Sequence, residues 1–97
     1  MIFEWDETKA KTNYTKHKVS FEEAQTVFYD ENALLIADEK HSDNEERFIL
    51  MGLSMMMNTL LVCYCEWSSN DDEIIRIISS RKANKKENEQ YWKRRSK

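Results

Sequence analysis

The chain has 97 residues and a formal net charge of −3, and it is 40% hydrophobic and 34% charged. A chain of this length can bury one modest core, which predicts a single domain over residues 1–97. No apolar run approaches the roughly 20 residues of a membrane-spanning helix. The opening MIFEWDETKAK also lacks the basic and apolar segments of a signal peptide. We therefore expect a cytoplasmic protein with no membrane partner.

The first third of the chain predicts a short strand and two helices. IFEW alternates between apolar and polar residues, as a strand does. Asp6 is a typical N-cap for a helix that ends near Lys18, where a left-handed cap would favour glycine. The segment SFEEAQTVFYD predicts a second helix, in which Ser20 and Glu23 form a capping box. Its core-facing stripe consists of Phe21, Ala24, Val27 and Phe28.

Four apolar segments and a final helix complete the predicted fold. The segments ALLIAD, RFILMGLS, TLLVCYCEW and EIIRIISS are separated by polar turns, which predicts an antiparallel meander. Met55–Met57 at one turn are typical of a loose apolar patch. Asn84 and Glu87 predict a capped last helix, with Tyr91 and Trp92 as its anchors. The order indicates an α+β fold, a mainly antiparallel sheet with two N-terminal helices packed on one face and a C-terminal helix.

The cysteines and histidines do not indicate a metal centre. Cys63 and Cys65 stand two apart, too far for easy bridging in a strand and outside the CxxC spacing. The histidines are His17 and His41, and His41 lies in an acidic loop. We expect buried, reduced cysteines, no metal and no other cofactor.

The charge of the chain is unevenly distributed. Residues 81–97 contain eight lysines and arginines and two glutamates, a net charge of +6, so the residues before them carry −9. This asymmetry predicts one basic and one acidic face. A basic end of this kind is also typical of a merely solvated tail.

The isoleucine-rich strand ends on two cations, Arg81 and Lys82. Guanidinium can bind two phosphate oxygens at once and would stabilise the charge that develops during phosphoryl transfer. A surface arginine covering the sheet edge is the structural alternative. Simple alternation places Arg81 on one side of the strand and Arg76 on the other. Arg76 indicates either a solvated sheet face or an ion pair with a carboxylate such as Glu66.

His17 is the candidate for proton transfer. It lies between Lys16 and Lys18, which would attract phosphate, and an imidazole can exchange protons near neutral pH. A packing or capping histidine at a helix end is the alternative. Arg47 follows two glutamates and opens a strand, so it is either one half of a salt bridge or part of a phosphate-binding cleft.

The combined motifs resemble one family, the BrnT toxins. They are W-D-E near the start, K-H-x-V-S-F-E-E-A from Lys16, E-R-F with a following glycine, and I-R-I-I-S-x-R-K-A from Ile75. These motifs cover nearly the whole chain. BrnT proteins are ribonuclease components of bacterial type II toxin–antitoxin systems.

The resemblance implies a RelE-like fold, metal-independent cleavage of RNA that inhibits translation, and neutralisation by a BrnA-type antitoxin. That antitoxin would carry a ribbon-helix-helix domain, so the toxin would contact DNA only indirectly. Arg81 matches the family's strand-end arginine. His17, Arg47 and Arg76 match other recurrent polar positions, and together these four are the expected catalytic residues. Lys16, Lys18 and Lys82 are expected to bind RNA.

Two residues depart from the family pattern. Lys18 stands where glycine is common, and Trp67 stands where a basic residue often follows the glutamate. The second change removes a cation and offers a surface for base stacking, so we expect Trp67 to contact RNA. It also suggests a second function, that of a weakened or inactive homologue that binds antitoxin and acts as corepressor. A third hypothesis is a general nucleic-acid-binding domain that uses the basic C-terminal helix.

Overall fold

The computed structural model describes residues 1–40 and 46–96. The elements are β1 (Ile2–Glu4), α1 (Glu7–His17), α2 (Phe21–Thr26), a 3₁₀ turn (Val27–Tyr29), β2 (Leu34–Lys40), β3 (Glu46–Leu53), β4 (Thr59–Ser69), β5 (Asp72–Lys82) and α3 (Lys85–Arg95). Every predicted strand and helix is present. The acidic loop with His41 lies outside the described residues.

The strands form one five-stranded sheet in the order β1-β5-β4-β3-β2. The strands from β2 to β5 make the predicted antiparallel meander. β1 pairs with β5 in parallel, but only from Ile74 to Arg76. The part of β5 after Arg76 is therefore not paired with β1.

The helix ends use the predicted capping residues. Asp6 Oδ1 accepts from the backbone N–H of Lys9 at 3.0 Å, and Ser20 Oγ accepts from that of Glu23 at 3.0 Å. The box at Ser20 is only half formed, because the Glu23 carboxylate binds Ser54 and Asn58 instead. Lys18 ends α1 in the left-handed region, at φ 59°. No helix in the described part of the chain is long and apolar enough to cross a membrane.

The main core lies between the sheet and the first two helices. Val19, Phe21 and Ala24 pack against alternate residues of β4 and β5 and are completely buried. The strand residues in this core are Leu60, Val62, Tyr64, Ile75 and Ile77. We call this side of the sheet the helix face.

The last helix packs on the opposite side of the sheet. Tyr91 is fully buried in a second cluster with Met51 and Leu61. Leu61 alternates with Leu60 and Val62 of the main core, so it points away from the helix face. The two N-terminal helices share one face, as predicted, and the C-terminal helix α3 packs on the other, because the strands are apolar on both sides at this end. We call this second side the α3 face.

A β-bulge lies in β5. Cys63 pairs with Ser79, whereas the next residue of β4, Tyr64, pairs with Ile77. Ile78 is therefore an extra residue on β5, and a bulge of this kind shifts the alternation of the side chains that follow it.

The bulge overturns the simple alternation expected for this strand. Ser80 is buried on the helix face, together with Ile75 and Ile77. Simple alternation had predicted Ser80 on the side opposite to these two isoleucines. Arg81 pairs with Leu61 and so lies on the α3 face. Arg76 lies on that face too.

Gly52 allows the 3₁₀ turn to approach β3 closely. A Cβ atom at this position would lie 2.8 Å from Val27 Cγ1 and 3.0 Å from Ala33 Cβ. Both distances are shorter than ordinary carbon contacts. The position therefore needs a residue without a side chain.

Candidate active site

The side chain of Asn13 in α1 completes the hydrogen bonding of the free edge of β5. The Ser80 N–H donates to Asn13 Oδ1 at 3.0 Å, and Asn13 Nδ2 donates to the Ser80 carbonyl at 2.9 Å. The same Nδ2 donates to the carbonyl of Val19 at 2.9 Å. Asn13 is 6% exposed. This amide fixes α1 beside β5, and His17 follows one helical turn later on the same side.

His17 and Arg81 line the same cavity. It has a volume of about 120 Å³ and lies where the end of α1 meets β5. The described lining residues are His17, Ile49, Leu61, Cys63, Ser79, Ser80 and Arg81. The structure therefore brings together the two residues from which the sequence predicted proton transfer and phosphate binding.

The Arg81 guanidinium is engaged by a carboxylate of α3. Its Nη1 lies 2.9 Å from Glu87 Oε1, and its Nη2 lies 3.0 Å from Glu87 Oε2. The hydrogen bonding from Arg81 and, to a lesser extent, the hydrogen bond from the Asn84 N–H lower the pKa of Glu87 below its usual range. Glu87 also completes the predicted capping box of α3. The Arg81 side chain is 44% exposed, so solvent still reaches it.

Arg76 and Arg47 lie on the same face as the cavity but at a distance along the strands. Arg76 Nη1 lies 3.7 Å from Glu4 Oε2, so Arg76 forms an ion pair, one of its two predicted alternatives, but with Glu4 of β1 and not with Glu66 of β4. Arg76 pairs in register with Cys65. Arg47 precedes Phe48 on β3, and Phe48 pairs with Tyr64 of β4. This register places Arg47 level with Cys65 and therefore in the same row across the sheet as Arg76. Neither arginine is among the described lining residues of the cavity.

The predicted RNA-binding lysines lie in different places. Lys16 lines a second cavity that adjoins the first. Lys18 is exposed at the end of α1, with its Nζ 5.9 Å from the centre of the Tyr14 ring. Lys82 is exposed at the end of β5.

The second cavity adjoins the first and contains a lysine that sequence reasoning missed. It has a volume of about 260 Å³. Its lining residues are Thr8, Lys9, Thr12, Asn13, Lys16, His17, Ile78 and Ser79. Lys9 and Lys16 are separated by two helical turns, and this spacing was the available signal that they share a side of α1.

Trp67 is not part of this site. It is 42% exposed in the hairpin between β4 and β5, and it lines a separate cavity of about 330 Å³ with Glu66, Ser68 and Glu73. Burial, then the charges of Glu73 and Glu46, raise the pKa of Glu66. The carboxylates beside the indole would oppose the approach of phosphate, although a base could still stack on the ring.

The sheet and its helices define an α+β protein with a RelE-like fold. Residues 5–87 match the family described as "Ribonuclease toxin, BrnT, of type II toxin-antitoxin system". The chain therefore belongs to the BrnT family of ribonuclease toxins.

A solved structure agrees with this assignment. The 1.1 Å crystal structure of the Brucella abortus ribonuclease toxin BrnT superposes with a TM-score of 0.63 at 23% identity. The match covers 88% of this chain and 100% of the Brucella chain. At this identity it shows a shared fold. A search of curated proteins found no match to the sequence.

Proposed function

We propose that this chain is an active toxin that cleaves RNA without a metal ion and thereby inhibits translation in the cytoplasm. The observation that carries the proposal is that His17 and Arg81 line one cavity in a member of a ribonuclease toxin family. A BrnA-type ribbon-helix-helix antitoxin would neutralise the toxin. DNA would be contacted only through that antitoxin.

The chemistry needs a proton acceptor, a cation and a proton donor. Removal of the proton from a ribose 2′-hydroxyl lets its oxygen attack the adjacent phosphorus. The bond from phosphorus to the 5′-oxygen then breaks, and that oxygen takes up a proton. An imidazole can move protons near neutral pH. A guanidinium stabilises the charge that develops on phosphorus. His17 and Arg81 fill these roles in the proposal.

The other predicted residues take supporting roles. Arg76 and Arg47 share the α3 face with Arg81, so they are placed to contact phosphates farther along a bound strand. Lys16, at the edge of the cavity, would hold a neighbouring phosphate. Lys18 and Lys82 would add long-range attraction from exposed positions. Trp67 would stack on an RNA base away from the cavity.

The ion pair between Arg81 and Glu87 favours a second candidate function. Two N–H groups of Arg81 already bind a carboxylate, and a third weakly contacts the Lys82 carbonyl at 3.3 Å. A cation neutralised in this way stabilises phosphate charge less well. A weakened toxin that binds antitoxin and acts as corepressor would fit this arrangement.

Expression of the chain by itself, compared with its expression together with the antitoxin, separates the two functions. The active toxin arrests growth, and the purified chain degrades RNA in the presence of EDTA. Arg81→Ala removes the cation, and Arg81→Lys keeps the charge without the bidentate fork. Unaltered growth on expression of the wild-type chain, together with tight antitoxin binding, would instead support the corepressor.

A further inference from the structure

A groove lined by lysines runs along α1 away from the cavity that holds His17 and Arg81. We propose that this groove binds the phosphates of single-stranded RNA next to the bond that is cleaved, with Lys9 as its outer contact and Lys16 as its inner one. The inference rests on the proposed ribonuclease function and adds a subsite for the flanking strand.

The groove adjoins the proposed catalytic cavity. His17 and Ser79 line both spaces, one of about 260 Å³ and the other of about 120 Å³. A strand whose reacting phosphate lies between His17 and Arg81 could therefore pass over Ser79 into the groove. Asn13 holds the two walls together through its bonds to Ser80.

The spacing of the cations suits an extended polyanion. Lys9 and Lys16 lie seven residues apart on one side of α1, or about 10 Å along the helix axis. In an extended strand that follows the helix axis, each ammonium group would bind a separate phosphate. Thr12 lies between them with a hydroxyl that can donate to phosphate or ribose oxygen. Ile78 gives an apolar surface on the opposite wall.

Charge distinguishes this groove from two larger cavities, of about 490 and 330 Å³. Its described lining contains Lys9, Lys16 and His17 but no carboxylate. The cavity on the other side of α1 has Lys11 together with Glu7 and Glu22. The cavity beside Trp67 has two glutamates and no cation among its described lining residues. Of these three cavities, as lined by the described residues, the groove is therefore the one whose charge complements a chain of phosphates.

Lys9→Ala and Lys11→Ala are a matched pair of variants. Both residues are exposed on α1, and both changes remove one positive charge, so a non-specific charge effect would be the same. The probe is a fluorescein-labelled single-stranded RNA with 2′-O-methyl groups, which lacks the attacking hydroxyl and stays intact. Fluorescence anisotropy at several salt concentrations gives the dissociation constant and its salt dependence. Circular dichroism checks that both variants fold.

We expect Lys9→Ala to weaken binding about fivefold at about 0.1 M salt, because one phosphate contact contributes a slope of about 0.7 in the logarithmic salt plot. The slope should fall by about that amount, and Lys11→Ala should change neither quantity. If the two variants weaken binding equally while the wild-type chain still cleaves unmodified RNA, the groove proposal is wrong and the ribonuclease proposal is unaffected. A wild type that neither cleaves nor binds RNA would overturn the ribonuclease proposal together with the groove.

Displacement of the labelled RNA by poly-glutamate tests whether the groove binds any polyanion, including an acidic protein segment, and not RNA in particular. If poly-glutamate of equal charge competes as well as unlabelled RNA, the groove accepts acidic protein segments in general, and the proposal is wrong. RNA should displace the probe at much lower concentration, because ribose and base also contact the groove.

Discussion

Replacement of Asn13 by alanine should detach α1 from the edge of β5. The amide makes three hydrogen bonds to backbone groups of Ser80 and Val19 at 2.9–3.0 Å, and it is nearly fully buried. Each bond contributes about 1 kcal/mol net, and buried groups left without partners cost more. We therefore expect a loss of about 3–5 kcal/mol, a large part of the 5–15 kcal/mol typical of a domain.

Urea denaturation followed by tryptophan fluorescence measures this loss. Thr15→Ala is the matched control, because Thr15 is exposed on the same helix and lines the cavity on its other side. The control should change the free energy of unfolding by no more than about 0.5 kcal/mol. A loss below about 1 kcal/mol for Asn13→Ala would refute the idea that this amide fixes α1, and with it the reason given for the position of His17.

Three further substitutions test separate features of the fold by the same denaturation assay. Lys18→Gly should raise the free energy of unfolding by about 1 kcal/mol, because Lys18 adopts φ 59°; no gain would contradict a strained cap. Gly52→Ala should lower it by about 1–3 kcal/mol, because the added Cβ meets Val27, and an unchanged value would show that the 3₁₀ turn can shift. Glu87→Gln should cost about 1 kcal/mol near neutral pH, since the partner Arg81 is substantially exposed.

The pH dependence of the Glu87→Gln effect follows from the lowered pKa of Glu87. A carboxyl whose pKa is depressed in the folded state stabilises the fold above its ordinary pKa of 4.5, and that stabilisation is lost as the pH falls through the folded pKa. The difference between wild type and variant should therefore shrink over the acidic interval below about pH 4.5, as the pH falls through the lowered pKa of Glu87. A difference that stays constant over this interval would mean that the ion pair with Arg81 does not stabilise the protein.

Local signals in the sequence were sufficient to predict the helices and strands of the fold. Caps at Asp6, Ser20 and Asn84 marked where the helices begin, and alternation marked the strands. The bulge at Ile78 could not be predicted, because neither glycine nor another typical bulge residue interrupts the isoleucine run. The face chosen by α3 depends on which side of β3 and β4 is left uncovered, and this is settled only when the helices pack.

The candidate site was predicted in part. His17 and Arg81 were both predicted as candidate residues, but their position on one cavity depends on Asn13, whose hydrogen bonds to the edge of β5 have no sequence signature. The pairing of Arg76 with Glu4 required the parallel register of the short β1. Arg81 and Glu87 were each assigned a local role, at a strand end and in a capping box. Their ion pair joins residues across the turn between β5 and α3, where periodicity gives no guidance.

The most direct test of the proposed function is a double-mutant cycle for RNA cleavage with purified protein in EDTA. His17→Ala and Arg81→Ala should each lower the single-turnover rate about 100-fold. The double variant should be little slower than either, because residues that act on one phosphate as a unit are not additive. His41→Ala, at the other histidine, should cleave at the wild-type rate. Full activity of either His17→Ala or Arg81→Ala would contradict a shared site for the imidazole and the guanidinium.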